Sequence, residues 1–296
     1  MFGKNLRARV VNRQYVWLAS ACLCLGVSSF VLQATLNQVS IGGIPEDINA
    51  LEGNTLIADS ESGFHLALKT VDDLDRKQRR HYQPPTQFQG LTIDEVKLPS
   101  DQKVIALTFD DGPWPKTTAK MLDILKEHQV EATFFVVGSN ITRFPHLLKR
   151  VAKEGHAIGN HSWSHGYHYH SPALAQQEIK RTAAEIEKQI GFKTKLFRPP
   201  GGYLRNGLVA HARSQKHVTL MWTVDDTYKG TVDKAINNVL NNASPGGIVL
   251  MHDGGDNRQL MIQALPHIIT RLRQQGYKLV TIPQLLELAK ADQNAG

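Results

Sequence analysis

From position 103 onward the chain alternates short apolar runs with longer amphipathic stretches. The runs fall at 104–109, 132–137, 157–160, 195–198, 217–225, 248–252 and 278–282. Each has the length of a buried strand and is too short for a helix. Between them, 117–128 carries Met121, Leu122, Ile124 and Leu125 on one side. The stretch 145–154 opens on a proline and stops at Gly155, 171–190 stops at Gly191, and 260–275 stops at Gly276. Proline just inside a start and glycine just past an end are helix punctuation. Strands that alternate with helices predict an α/β fold with parallel strands. About seven such units are too few for a regular eight-fold ring, so the alternatives are a distorted or incomplete (β/α) barrel and an open doubly wound sheet.

The placement of polar residues favours the barrel. Asp110 and Asp111, His161 with His165, Arg198, Asp225 and Asp226, and His252 all stand at or just after the ends of apolar runs. Barrels gather chemistry from the carboxyl ends of several strands, whereas open sheets usually bind at one switch point. Five contributing runs predict a ring.

The N-terminal third is patterned differently. Lys4, Arg7, Arg9 and Arg13 precede twenty uncharged residues, 15–34. That length matches a membrane span and exceeds the apolar core of a cleaved signal. The basic flank should stay cytoplasmic, which places the rest of the chain outside the cytoplasm, in the periplasm or on the cell surface. Residues 1–36 are therefore read as an anchor, with a cleaved secretion signal as the alternative. Residues 37–100 read as a stem or linker with Gly42–Gly43, a mixed charged run and Pro84–Pro85. Residues 101–290 form the catalytic domain and 291–296 a tail. Both cysteines, Cys22 and Cys24, lie in the apolar N-terminal run, so the body needs no disulfide and is compatible with export. The net charge is +7 and the pI about 9.3. This fits an anionic membrane or wall polymer. The basic residues form no stripe interleaved with aromatics, which argues against nucleic acid. Oligomeric state is not readable.

The sharpest local question is Asp110–Asp111 in "TFDDGP". Adjacent carboxylates repel and raise one another's pKa. A bound cation offsets the repulsion: Asp111 would bind it and Asp110 would serve as a general base. The competing reading is a strand-ending turn, since Asp, Gly and Pro all form turns. "NHSWSH" places His161 and His165 four apart, on one face of a helix or converging in a tight loop. Alone the pair is weak, because histidine is frequent and His168 and His170 follow. With one aspartate it makes a two-His, one-carboxylate site with open positions. An iron oxygenase uses the same donor set and is a rival reading. "FRPPGG" offers Arg198 as a carboxylate clamp and glycines that admit a ligand close to the backbone. "LMHDGG" ends a strand on His252, poised to protonate a leaving amine. "WTVDD" adds carboxylates at another strand end.

Together and in this order, "TFDDGP", "HSWSH", "RPPGG", "WTVDD" and "LMH" resemble the five motifs of the polysaccharide deacetylase (NodB homology) family of carbohydrate esterases. The resemblance spans roughly 103–288. It implies a distorted (β/α) barrel and a metal-dependent hydrolase removing acetyl groups from polysaccharide. It also implies roles. Asp110 would be the base. Asp111, His161 and His165 would bind a divalent metal, usually zinc, sometimes cobalt or nickel. Arg198 would orient Asp110, and Asp225 would brace the site through Arg198. The Gly201 N–H would help hold the oxyanion at a position where family members often carry tyrosine. Leu250 would line the acetyl pocket and His252 would be the acid. The fourth motif is compressed, with Tyr228 where an acid or tryptophan is usual, which leaves Asp225 and Asp226 as alternative braces. The expected substrate is an N-acetylglucosamine polymer: peptidoglycan, a chitin-like chain or an exopolysaccharide. Alternatives are O-deacetylation of a xylan-type polymer and a catalytically silent wall-binding protein.

Overall fold

A computed structural model describes residues 82–98, 102–225, 230–255 and 258–290. The expected anchor, most of the stem, Asp226, Tyr228 and the C-terminal tail lie outside the described residues. Among those described, the strands are β1 (Thr92–Ile93), β2 (Val104–Asp110), β3 (Thr133–Val136), β4 (Ala157–Asn160), β5 (Leu196–Phe197), β6 (Val218–Leu220), β7 (Val224–Asp225), β8 (Ile248–His252) and β9 (Lys278–Val280). The helices are α1 (Thr117–Glu127), α2 (Gly138–Arg143), α3 (Pro145–Lys153), α4 (Pro172–Ile190), α5 (Leu208–Ser214), α6 (Val232–Asn242), α7 (Gln259–Gln274) and α8 (Ile282–Lys290).

Eight strands run in the order β1-β6-β5-β4-β3-β2-β8-β7, and β9 adds to β2. Every pairing between these strands is parallel. The result is the curled, barrel-like parallel sheet that the strand–helix alternation predicts. Two details differ from the sequence expectation. The single run 217–225 splits into β6, which pairs with β5 and β1, and β7, which pairs with β8. The sheet also takes in β1, inside the stretch read as stem, so the boundary at 101 falls after its first strand. Two residues are too few to show any periodicity.

Strand alternation explains the layers. On β2, Ile105, Leu107 and Phe109 join the outer core with Phe134, Met251 and the buried faces of α1 and α7. Val104 and Ala106 face the other way, into a second core with Phe135, Leu196, Leu220, Ile248 and the apolar side of α8. The next residues on that inner face are Thr108 and Asp110, since side chains two apart share a face. The inside of the curl is thus apolar at its base and polar at its carboxyl end. Gly159 has no side chain because the Phe135 ring fills its place, within 2.4 Å of where a Cβ would sit.

His156 is a buried histidine in this framework. Its Nδ1 accepts from the Ala132 N–H, which requires the neutral ring. Burial, and then the nearby Arg150, push its pKa from 6.5 down to about 4. The unfolded chain therefore binds more protons between these values, and stability falls as pH drops through that window. We expect His156→Gln to flatten the loss of unfolding free energy between about pH 6.5 and pH 4, measured by urea titration at several pH values.

Candidate active site

The residues singled out by their sequence positions meet at the carboxyl end of the sheet. A cavity of about 130 Å³ is lined by Asp110, Asp111, His161, His165, Gly201, Leu250 and His252, with Tyr167, Gly202 and Trp222. Asp110 and His252 are register partners on neighbouring strands. The β8 loop is tied to them, because the Asp110 carbonyl accepts from the Asp253 and Gly254 amides.

Arg198 lies beneath this cavity with no exposed surface. Its Nη1 donates to Asp110 Oδ1 at 2.9 Å and to Thr108 Oγ1 at 2.7 Å. Nε donates to the Leu220 carbonyl and Nη2 to that of Met221. These carbonyls stand where the run 217–225 leaves β6 and changes partner, so the guanidinium satisfies backbone groups that the sheet abandons. Thr108 in turn donates to the Val249 carbonyl at 2.7 Å. Burial lowers the Arg198 pKa and Asp110 opposes that shift, and the guanidinium stays charged.

The expected brace from Asp225 to Arg198 takes a different form. Among the described residues, no hydrogen bond of Arg198 goes to Asp225. The Asp225 Oδ2 accepts from Trp222 Nε1 at 3.3 Å, and the Trp222 ring lies 5.8 Å from the guanidinium carbon. Nε and Nη2 donate instead to the backbone carbonyls at the strand break, and the Trp222 indole lies between the aspartate and the arginine.

The histidines arrive on a tight loop, one of the two geometries the spacing allowed. Ser162 and His165 take left-handed φ values of 64° and 56°, and Asp111 takes 75°. Such angles are strained for residues with side chains and cluster at functional sites. Hydrogen bonds impose them here. Glu178 on α4 accepts from the Trp163 and Ser164 amides. Asn160 Oδ1 accepts from the Ser162 amide, while Asn160 Nδ2 donates to the Ile179 carbonyl. Gly254 lets the β8 loop approach Asp111, whose backbone would lie 2.3 Å from any added Cβ.

Asp111, His161 and His165 present three ligand atoms within 4.8 Å of one another. His161 Nδ1 donates to the Arg198 carbonyl at 2.8 Å, so its Nε2 carries the lone pair that faces the site. That Nε2 lies 3.4 Å, and His165 Nε2 2.8 Å, from Asp111 Oδ1. Oδ1 is buried and makes no hydrogen bond of good geometry. Three converging donor atoms with one orphaned oxygen fit a cation. The electrostatics agree. Burial alone would raise the Asp111 pKa, but the two imidazoles hold it well below the usual carboxylate range. Burial alone would lower the His161 pKa, but Asp110 and Asp111 bring it above its ordinary value. The carboxylates demand positive charge at this point, and a divalent ion with His and carboxylate ligands supplies it.

Gly201 has φ 61°. The hydrogen bonds of its turn run from Gly202 to Pro199 and from Tyr203 to Pro200, leaving the Gly201 N–H outside them. Tyr167 and Tyr203 lie 2.9 Å from where its Cβ would sit. Their rings occupy the room that a tyrosine at this position would need.

Three further residues complete the site. Thr108 shares a face with Asp110 by the two-residue period. Asp253 follows His252 directly. Burial pushes its pKa up to about 7, opposed by the hydrogen bond from Thr118 and reinforced by Asp111 and Asp110. Its carboxyl fills the space beside Gly112. Arg258 donates through Nη2 to Asp111 Oδ2 at 3.2 Å, an ion pair invisible to spacing because 147 residues separate the partners.

Removing the buried guanidinium strands Asp110 and two carbonyls. We expect Arg198→Met to cost about 3–5 kcal/mol of stability, and Thr108→Val about 1–3 kcal/mol, both measured by denaturant unfolding.

Comparison with known proteins agrees with this geometry. A family model described as polysaccharide deacetylase matches residues 97–220. The chain is 40% identical over 195 residues to a peptidoglycan-N-acetylglucosamine deacetylase of Bacillus cereus, a match covering 64% of this chain and 91% of that protein. It is 39% identical over 230 residues to the peptidoglycan-N-acetylmuramic acid deacetylase PdaC of Bacillus subtilis, covering 74% of this chain and 46% of that protein. A crystal structure of a peptidoglycan N-acetylglucosamine deacetylase superposes with a TM-score of 0.62 at 35% identity, covering 67% of this chain and 94% of that one. A further structural neighbour, from Bacillus anthracis, is described as a pseudoenzyme. With the five motifs gathered at one end of a curled parallel sheet, the chain belongs to the polysaccharide deacetylase family, a family of hydrolases.

Proposed function

We propose that the chain is a metal-dependent N-deacetylase of N-acetylglucosamine-containing polysaccharide, with peptidoglycan as the favoured polymer, releasing acetate. The observation that carries this reading is the convergence of Asp111, His161 and His165 beside a second carboxylate, Asp110, that is held by Arg198. The peptidoglycan relatives support the choice of polymer. The N-terminal apolar segment supports action outside the cytoplasm, with the chain tethered to the membrane.

Asp111, His161 and His165 would hold the divalent ion, zinc by the softness and number of the donors, with cobalt or nickel as substitutes. Bound there, it would polarise the amide carbonyl and make water more acidic. The chain's own residues do the rest. Asp110 has one oxygen fixed by Arg198 and the other turned toward the site, 3.6 Å from His161 Nε2. That second oxygen accepts the proton of the attacking water. The Gly201 N–H donates to the oxygen on which negative charge develops. His252, across the cavity on β8, gives a proton to the departing nitrogen. The carbon–oxygen bond forms first, and the carbon–nitrogen bond breaks as the carbonyl re-forms and the nitrogen is protonated, so water is consumed and acetate and a free amine leave. Leu250 walls the space for the acetyl methyl group. No covalent intermediate on the protein is needed.

Acetate release from N-acetylglucosamine oligomers and purified peptidoglycan tests this directly. We expect activity to vanish on metal removal and return with zinc or cobalt. Asp110→Asn should lower kcat by roughly 10²–10⁴-fold while zinc still binds by calorimetry, whereas Asp111→Ala should lose the binding. Intact zinc binding with no acetate from any polymer would move the chain to the silent class. A second outcome concerns pH. Because Asp110 and Asp111 raise the His161 pKa, proton and metal compete for its ring nitrogen, and zinc affinity should weaken steadily on acidification through the histidine range. A flat profile would contradict the ligand assignment.

A further inference from the structure

A second cavity of about 250 Å³ adjoins the first and shares Asp111 and His165 with it. Its other walls include Ser139, Asn140 and Ser164, and Arg258. Arg258 is the one cationic side chain among the described lining residues. Its Nε donates to the Gly254 carbonyl at 2.7 Å and its Nη2 to Asp111 Oδ2 at 3.2 Å. One contact to a backbone carbonyl and one to a carboxylate hold the guanidinium in place, and about 30% of its side chain stays exposed. Nη1 takes part in neither bond.

Charge makes this cavity distinctive. Across the site the carboxylates of Asp110 and Asp111 are matched by the guanidiniums of Arg198 and Arg258. Counting these four groups, a divalent ion at Asp111, His161 and His165 would leave an excess of positive charge, which the buried Asp253 carboxyl nearby offsets only in part. Arg198 is fully buried, and four of its five N–H groups donate to partners beneath the site. Arg258 is the guanidinium that a ligand can reach. A planar fork with a donor to spare, beside a cation, is a receptor for a carboxylate. A neutral sugar would gain little from it. Ser139, Asn140 and Ser164 add the neutral polar lining that a saccharide needs.

We propose that the Arg258 cavity is a subsite for an acidic saccharide unit, and that it receives a carboxylate carried by the polymer next to the reacting acetamide. In peptidoglycan that group is the lactyl carboxylate of an N-acetylmuramic acid unit that has lost its stem peptide, since an attached peptide converts the carboxylate to a neutral amide. The inference rests on the polysaccharide reading above and narrows it: the preferred chain is an acidic glycan, and a neutral homopolymer is the poorer substrate.

The test uses peptide-free peptidoglycan oligosaccharides in two forms, with the lactyl carboxylate intact or reduced to the alcohol, beside neutral N-acetylglucosamine oligomers. Zinc-saturated full-length protein is compared with Arg258→Gln and Arg258→Lys, and zinc affinity is measured separately for each. Wild type should favour the carboxylate form over its reduced form on the order of tenfold in kcat/KM. Arg258→Gln should erase that ratio, Arg258→Lys should keep part of it, and added salt should shrink it. A change in zinc affinity alone moves all substrates together and leaves the ratio intact, which would overturn the proposal. So would equal wild-type rates on the two forms. Equilibrium binding of the same pair by calorimetry separates the two readings. If no polymer releases acetate, the deacetylase reading fails, while a binding preference for the carboxylate form that depends on Arg258 still upholds the subsite and its absence refutes it.

Discussion

A guanidinium with no exposed surface governs this structure. Burying an unpaired charge costs several kcal/mol, so Arg198 survives only where every direction offers an acceptor. β2 supplies Asp110 and Thr108, and the end of β6 supplies the carbonyls of Leu220 and Met221. The main-chain carbonyl of the same residue accepts a hydrogen bond from His161 Nδ1. One arginine therefore fixes the rotamer of Asp110, the tautomer of His161 and the point where the sheet changes partners. These are separate features in sequence and a single network in space.

That network explains what could and could not be read beforehand. Strand–helix alternation made the fold class legible, because buried parallel strands are continuous apolar runs and the helices carry their own start and stop residues. The position of chemistry at strand ends was legible for the same reason, since the apolar run stops where the side chains meet solvent. The split of 217–225 was not, because both β6 and β7 are buried and apolar, and only the change of partner divides them. β1 was invisible for its shortness. Asp225 was expected at Arg198 and lies instead against Trp222, a difference set by carbonyls whose direction no side-chain pattern records. Arg258 sits beyond the motif that ends in His252, and its contact with Asp111 depends on how closely two loops approach at Gly254.

The compressed fourth motif and the glycine at 201 are departures from the family pattern with different standing. At Gly201 the structure gives a reason: the left-handed backbone and the rings of Tyr167 and Tyr203 exclude a larger residue. The family's usual aromatic is thus replaced by two tyrosines reaching in from elsewhere. Residues 226–229, which complete that motif, lie outside the described residues.

The orphaned oxygen of Asp111 has a consequence for the lifetime of the molecule. Left-handed residues at 111, 162 and 165 and adjacent carboxylates each add a cost at this end of the barrel. A ligand that binds the folded state alone stabilises it in proportion to the logarithm of its free concentration. Any cation seated between Asp111, His161 and His165 would then act as a keystone as well as a reagent. Scarcity of that ion would silence the site and also shorten the time each copy remains folded, so that supply of one ion would govern both the turnover of substrate and the turnover of the protein.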